Sequence, residues 1–151
     1  MRFLGNIEAK TDSKGRAFLP SVFRKTLQAS GEESLVLRKD VFQDCLVLYP
    51  EFVWNDQLDY LRSRLSRWNA EQQQIYRTFV ADAVAITLDG NGRFLIPKRQ
   101  MRLAHIDQAI RFIGMGDTIE IWSNEQESKA LMPSDEFGRV LQGVLAQERN
   151  N

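Results

Sequence analysis

A nine-residue segment, Asp12-Ser13-Lys14-Gly15-Arg16-Ala17-Phe18-Leu19-Pro20, returns 77 residues later as Asp89-Gly90-Asn91-Gly92-Arg93-Phe94-Leu95-Ile96-Pro97. Asp, Gly, Arg and Pro coincide, and Leu19 stands opposite Ile96. Upstream, Ile7 matches Val84; downstream, Leu35-Val36-Leu37 corresponds to Arg111-Phe112-Ile113, and Leu46 to Pro50 corresponds to Ile119 to Ser123. A repeat of this kind constrains the fold more than any other feature, because one unit must be built twice. The units span residues 5–52 and 81–124, joined by a linker over 53–80 and followed by a tail over 125–151. Below about 40–60 residues a unit rarely buries enough surface to be stable alone, so neither copy is expected to support a core by itself. The two halves must pack on one another.

Each copy reads as β-rich. Short apolar runs such as Ala83 to Ile86 and Phe94 to Ile96 flank Asp89-Gly90-Asn91-Gly92, and Asn-Gly is a hairpin signal. In the first copy Gly15 supplies the freedom to take positive φ. Pro20 and Pro97 lack an N–H and end a strand before a short basic helix, predicted over 21–29 (closing near Gly31) and over 98–105. A second strand pair follows in each copy, giving hairpin, helix, hairpin. Gln100 stands where the first copy has Phe23, which predicts a shift of the second helix's buried face toward Met101 and Leu103.

The linker is helical by periodicity. Trp54, Leu58, Leu61, Leu65 and Trp68 advance by three and four residues, and so share one helix face. Asn69 with Gln72 resembles a capping box opening a second helix that carries Ile75, Phe79 and Val80. The tail holds a further stripe of Phe137, Val140, Leu141, Val144 and Leu145. Such stripes are expected to be packing surfaces, against the same chain or a neighbouring subunit. The expected class is α+β, β-rich, with a helical linker and C-terminal helices.

Twenty Lys and Arg balance twenty Asp and Glu, so average charge gives no support for a nucleic-acid partner. The distribution does. Residues 1–25 carry a net +4 and residues 89–111 a net +3, while 26–50, 51–88 and 112–151 carry −2, −1 and −4. No apolar run approaches the roughly 18 residues needed to span a bilayer. The N-terminal stretch meets Glu8 too early for a signal peptide, and a single cysteine, Cys45, suits a reducing cytoplasm. Catalysis is not expected. The one histidine, His105, lies between apolar neighbours, Cys45 has no base suggested near it, and Glu32, Glu33, Glu125 and Glu127 read as solvated ends. No nucleophile elbow, phosphate-cradling loop or metal-ligand spacing is present, so neither cofactor nor metal is expected.

In each copy Asp and Arg sit four residues apart across a tight turn. One reading is structural: the carboxylate accepts the turn's N–H groups and pairs with the arginine. The other is functional: the same carboxylate orients a guanidinium fork toward phosphate or the O6/N7 edge of guanine. Duplication, with a basic helix after each loop, brings the two readings to parity.

These residues resemble the MraZ family of bacterial transcriptional regulators. The resemblance runs over residues 2–124 and rests on Phe3-x-Gly5-Asn6, the Asp12…Arg16-x-x-x-Pro20 block and its copy Asp89…Arg93-x-x-x-Pro97. Leu48-Tyr49-Pro50 with Trp54, and Ile119-Glu120-Ile121-Trp122-Ser123, complete it. It implies two tandem SpoVT-AbrB-like units forming one pseudo-two-fold, swapped-hairpin β-barrel, and closed homo-oligomeric rings. It further implies that such rings bind direct repeats in the promoter of a division and cell-wall gene cluster and repress it, at the nucleoid in the cytoplasm. By position, Arg16 and Arg93 would contact DNA, with Lys14, Lys98 and Arg99 beside them; Asp12, Asp89, Gly15 and Gly92 would orient the loops. The competing reading is a ring-forming, protein-binding scaffold without DNA binding. It is favoured if the basic residues scatter around the molecule.

Overall fold

The computed structural model describes residues 1–149. The first copy runs β1 (Asn6–Lys10), β2 (Arg16–Phe18), α1 (Ser21–Ser30), β3 (Leu35–Lys39) and β4 (Leu46–Pro50). Two linker helices follow, α2 (Glu51–Arg64) and α3 (Ala70–Ala81). The second copy repeats the order as β5 (Val84–Ile86), β6 (Arg93–Leu95), α4 (Lys98–Leu103), β7 (Ala109–Gly114) and β8 (Ile119–Ser123). A 3-10 turn (Asn124–Gln126), α5 (Glu127–Ala130) and α6 (Ser134–Arg149) close the chain.

The first strands of each copy do not pair locally. β1 pairs antiparallel with β7 of the second copy, β5 with β3 of the first, and β2 with β6. The main sheet has the order β1-β7-β8-β4-β3-β5, which reads the same from either end when the copies are exchanged. Its centre is the β4–β8 pair, with Leu46 opposite Ile121 and Leu48 opposite Ile119. The β2–β6 pair forms a separate ribbon. The architecture is therefore mixed α+β with antiparallel pairing, and the sheet is open, not a closed barrel. The expected local hairpin is replaced by exchange, for a reason of burial. A three-residue strand beside a tight turn has little apolar face to bury against its own neighbour, whereas the other copy offers a matching one.

The core lies under this exchange. Phe3, Leu19, Phe23, Leu35, Leu37, Leu46, Leu48, Ile96, Ile110, Phe112, Ile119 and Ile121 are all fully buried, drawn from both copies. Phe3 meets Phe23 edge-on at 5.8 Å, and Phe94 meets Phe112 at 6.3 Å, both within the range of favourable aromatic pairs. α1 closes at Gly31 with φ 76°, as its sequence predicts, whereas α4 stops at Leu103, short of the expected end at residue 105. The buried face of α4 does not shift. Gln100 is 2% exposed and keeps the inward place held by Phe23 in the first copy, its Nε2 donating to the Asp82 carbonyl at 3.0 Å. Met101 and Leu103 are half-buried instead.

In the linker, α2 ends at Arg64, so Trp68 does not extend its stripe and stands 97% exposed in the connection. Asn69 caps α3 by accepting the Gln72 N–H, but the Gln72 side chain accepts from Ser66 N and not from Asn69. Trp54 stacks on Phe79 at 5.1 Å, and Arg38 donates to the Phe79 carbonyl at 2.8 Å, tying α3 to β3. The apolar stripe of α6 is largely uncovered by the described residues: Phe137, Leu141, Val144 and Leu145 are exposed and Val140 is half-buried. No described helix is long and apolar enough to cross a membrane. Asn150 and Asn151, the end of the predicted helical tail, lie outside the described residues.

Candidate nucleic-acid interface

The two Asp-x-x-Gly-Arg loops fold identically. In the first, Gly15 N donates to the Asp12 carbonyl at 3.0 Å and Asp12 N to the Arg16 carbonyl at 2.9 Å. In the second, Gly92 N donates to the Asp89 carbonyl at 3.0 Å and Asp89 N to the Arg93 carbonyl at 2.8 Å. Both glycines take positive φ, 89° and 82°, which the turn requires. Each aspartate then uses both oxygens. Asp12 Oδ1 accepts the N–H groups of Lys14 and Arg16, and its Oδ2 accepts Arg16 Nε at 2.8 Å. Asp89 Oδ1 accepts those of Asn91 and Arg93, and its Oδ2 accepts Arg93 Nε at 2.9 Å.

These bonds hold both carboxyls below their ordinary value. The backbone N–H of Arg16 is the largest cause for Asp12 and that of Arg93 for Asp89; desolvation opposes it, and the arginine side chains and a second backbone N–H add to the lowering. Among the described residues each aspartate bonds its arginine through Nε, which leaves the two terminal nitrogens unbonded by those residues. Each aspartate thus builds its turn and holds the Nε of its arginine.

The ribbon brings the loops together. Arg16 lies opposite Leu95 and Phe18 opposite Arg93, with Ala17 and Phe94 at the centre. The central pair is buried at 2% each, so the alternation of a strand sends Arg16, Phe18, Arg93 and Leu95 to the outer face. The two arginines are diagonal neighbours, which in antiparallel strands puts their Cα atoms about 7–8 Å apart. Phe18 is 57% exposed with the Arg93 guanidinium 5.9 Å from its ring centre, and Leu95 is 51% exposed. The copies are also stitched across the loops: Leu19 N donates to the Gly92 carbonyl and Ile96 N to the Gly15 carbonyl, both at 2.9 Å.

Of the remaining candidates, Lys14 and Lys98 line one cleft beside the first loop. Arg99 does not join them; it pairs with Asp82 at 2.8 Å where α3 passes into β5. Arg111, counted with the second basic block, is also spent, bonding Glu8, Glu127, Asn6 and Asn124. Two further residues of the region, counted in the sequence only as members of the two basic blocks, take up places beside the loops. Arg24 donates through Nε to the Leu19 carbonyl and lies where a side chain on Gly92 would stand. Arg102 enters the cleft with Lys14 and Lys98. At the 77-residue offset Arg24 matches Met101 and Lys25 matches Arg102, so the two cations are not equivalent positions of the repeat. His105, the sole histidine, sits at the surface with Nε2 3.6 Å from Asp44, and burial pushes the Cys45 thiol far up, so neither forms a nucleophile–base pair.

The model of the MraZ protein family, an antitoxin-like family by its description, matches the chain twice, over residues 2–78 and 79–132. The chain belongs to the MraZ family. A MraZ relative from Phocaeicola vulgatus is 60% identical over 150 residues, covering 99% of this chain and 97% of that protein. Another, from Bacteroides fragilis, is 55% identical over 149 residues, covering 99% and 94%. A more distant MraZ relative, from Christiangramia forsetii, is 31% identical over 149 residues, covering 98% and 96%. Each is named "Transcriptional regulator MraZ", and none of the three is named as an enzyme. The paired matches make the two sequence repeats two tandem MraZ domains.

Proposed function

We propose that this chain regulates transcription by binding promoter DNA with specificity for sequence, through Arg16 and Arg93. One observation carries the reading: two aspartate-gripped arginines are diagonal neighbours on the outer face of one ribbon, their terminal nitrogens unbonded among the described residues. A planar fork held at fixed angle suits guanine O6/N7 or a phosphate, and such a bidentate contact discriminates between bases by about 1–3 kcal/mol. Lys14 and Lys98 extend the basic surface; Arg99, held by Asp82, contributes less to it.

The reciprocal strand exchange supports reading residues 5–52 and 81–124 as a swapped-hairpin, pseudo-two-fold unit of the SpoVT-AbrB type, with 53–80 as linker and 125–151 as tail. The family resemblance extends the proposal to repression of a division and cell-wall gene cluster through direct repeats, by closed homo-oligomeric rings at the cytoplasmic nucleoid. Ring formation would multiply weak contacts at adjacent sites by raising effective concentration. Exposed apolar surface supports self-association: the α6 stripe, and a groove of about 750 Å³ lined by Val41, Phe42, Tyr60, Leu61, Ile75 and Phe79. The same groove is the observation that favours a protein-binding scaffold, but a scaffold gives no account of the paired arginines.

The test is a gel shift with duplex from the promoter of the chain's own gene, at fixed salt. Arg16→Ala and Arg93→Ala should each weaken binding, and the double variant should abolish it while keeping its oligomeric state. Undiminished binding by the double variant rejects the reading. Full retention of oligomers together with no DNA binding by the unaltered chain selects the scaffold.

A further inference from the structure

The pseudo-two-fold gives each loop a cleft against the helix of the other copy, and the two clefts differ in charge. The first lies between the copy-one loop, α4 and the segment before β7. It is lined by the cations Lys14, Lys98 and Arg102, none of which is engaged by a carboxylate among the described residues. Its acidic members are Asp12, whose oxygens are taken by the loop and Arg16, and Asp107. Counting Arg16, four cations face two carboxylates.

The second cleft lies between the copy-two loop, α1 and the segment before β3. It contains Glu32, Glu33 and Asp89 against Arg24, which is turned inward to the Leu19 carbonyl. Counting Arg93, two cations face three carboxylates. The reversal comes from substitutions between equivalent positions: Lys14 becomes Asn91, Lys98 becomes Ser21, and Arg102 becomes Lys25, which does not line the cleft.

We propose that the cleft formed by Lys14, Lys98 and Arg102 is a seat for one DNA backbone phosphate, and that its pseudo-symmetric counterpart is not. This rests on the DNA-binding reading and deepens it. A phosphodiester presents two charged oxygens, which a guanidinium fork and two ammonium groups can divide between them. In the second cleft the same anion would meet Glu33 and Glu32. Arg16 therefore acts beside an anchored strand, while Arg93, with Phe18 against it, works without a phosphate clamp. Each chain then engages the duplex in one direction. A symmetric pair of loops favours inverted half-sites, whereas a polar pair favours half-sites in the same orientation.

The test measures binding of the full chain to a fluorescent mixed-sequence duplex by anisotropy across a KCl series. The combined variant Lys14→Gln, Lys98→Gln, Arg102→Gln should make the slope of log K against log[KCl] shallower by about 1, the loss of one phosphate contact. Lys25→Gln, the copy-one equivalent of Arg102, should leave the slope unchanged. The combination Glu32→Gln, Glu33→Gln, Asn91→Lys should steepen it by building cation excess into the second cleft. An unchanged slope in the first variant, or a loss from Lys25→Gln equal to that from Arg102→Gln, overturns the phosphate seat alone. Failure of the unaltered chain to bind any duplex overturns the DNA-binding reading with it. Saturable binding of inorganic phosphate at matched ionic strength, with the duplex slope unaffected by the variants, would reassign the cleft to a free anion and overturn the proposal.

Discussion

At the scale of single residues, the aspartate of each loop ties the turn to the arginine. Asp12 collects two N–H donors and one guanidinium, so removing its carboxylate releases the turn and the arginine together. Asp12→Ala should therefore weaken promoter binding about as much as Arg16→Ala, by about 1–3 kcal/mol in a gel-shift titration. The pH dependence has a definite sign. Both carboxyls are lowered in the folded state, so their contribution is complete above the ordinary value of 3.8 and is lost as pH falls through the lower folded value. The Arg16 and Arg93 Nε–H resonances should hold constant from neutral pH down to that range and move only below it. Gly15 is constrained twice: its φ is 89°, and a Cβ there would stand 2.8 Å from the Ile96 carbonyl. Gly15→Ala should cost about 1–3 kcal/mol in thermal unfolding, the usual range for imposed backbone strain. Residue pattern made these loops visible because Asp, Gly and Arg have separate, local reasons for their spacing. Arg24 and Arg102 were legible as charge, but their places were not, because those follow from which helix faces which loop.

At the scale of elements, legibility followed the range of the interaction. α1 was readable to its end because Gly31 closes it through its own positive φ. The cap on α3 was readable because Asn69 and Gln72 are three residues apart; Asn69→Ala should lower stability by about 1 kcal/mol in denaturant titration. Trp68 shows the converse. Its spacing continues the stripe of Trp54, Leu58 and Leu61, yet the helix ends at Arg64 and leaves it in the connection. Periodicity registers where a side chain would point if the helix continued, and not whether it does. α4 shows how tertiary context overrides polarity. Gln100 takes the core position of Phe23 with its Nε2 donating to the Asp82 carbonyl, while its buried Oε1 has no partner among the described residues. Phe23, fully buried against Phe3, has no such substitute, and Phe23→Ala should cost about 3–5 kcal/mol by calorimetry or denaturant unfolding.

At the scale of the whole molecule, the exchange of strands makes the two copies one cooperative unit. β1 finds its partner in β7 and β5 finds its partner in β3, so neither half holds a complete sheet. Separately expressed halves should be unfolded by circular dichroism and should recover native ellipticity when mixed; an independently folded half would contradict the exchange. The exposed groove between α2 and α3 and the stripe on α6 belong to this scale as well. Replacing Phe42 or Leu141 with Ser should lower the sedimenting mass if copies associate through these faces, without loss of the monomer fold, since both side chains are already exposed. What the amino-acid sequence determined alone was the repeat, the order of elements within each copy and the turn chemistry of the loops. Each of these depends on contacts within a few residues, or on two segments being alike. The tertiary structure alone decided the partners: which copy supplies each strand's neighbour, which arginines are consumed by Asp82 and Glu8, and which loop faces which cleft. The net charge of zero resolves at this level. A local excess of cations gathers at one loop's cleft because packing of the two copies sets Lys14 beside Lys98 and Arg102, residues more than eighty positions further along the chain.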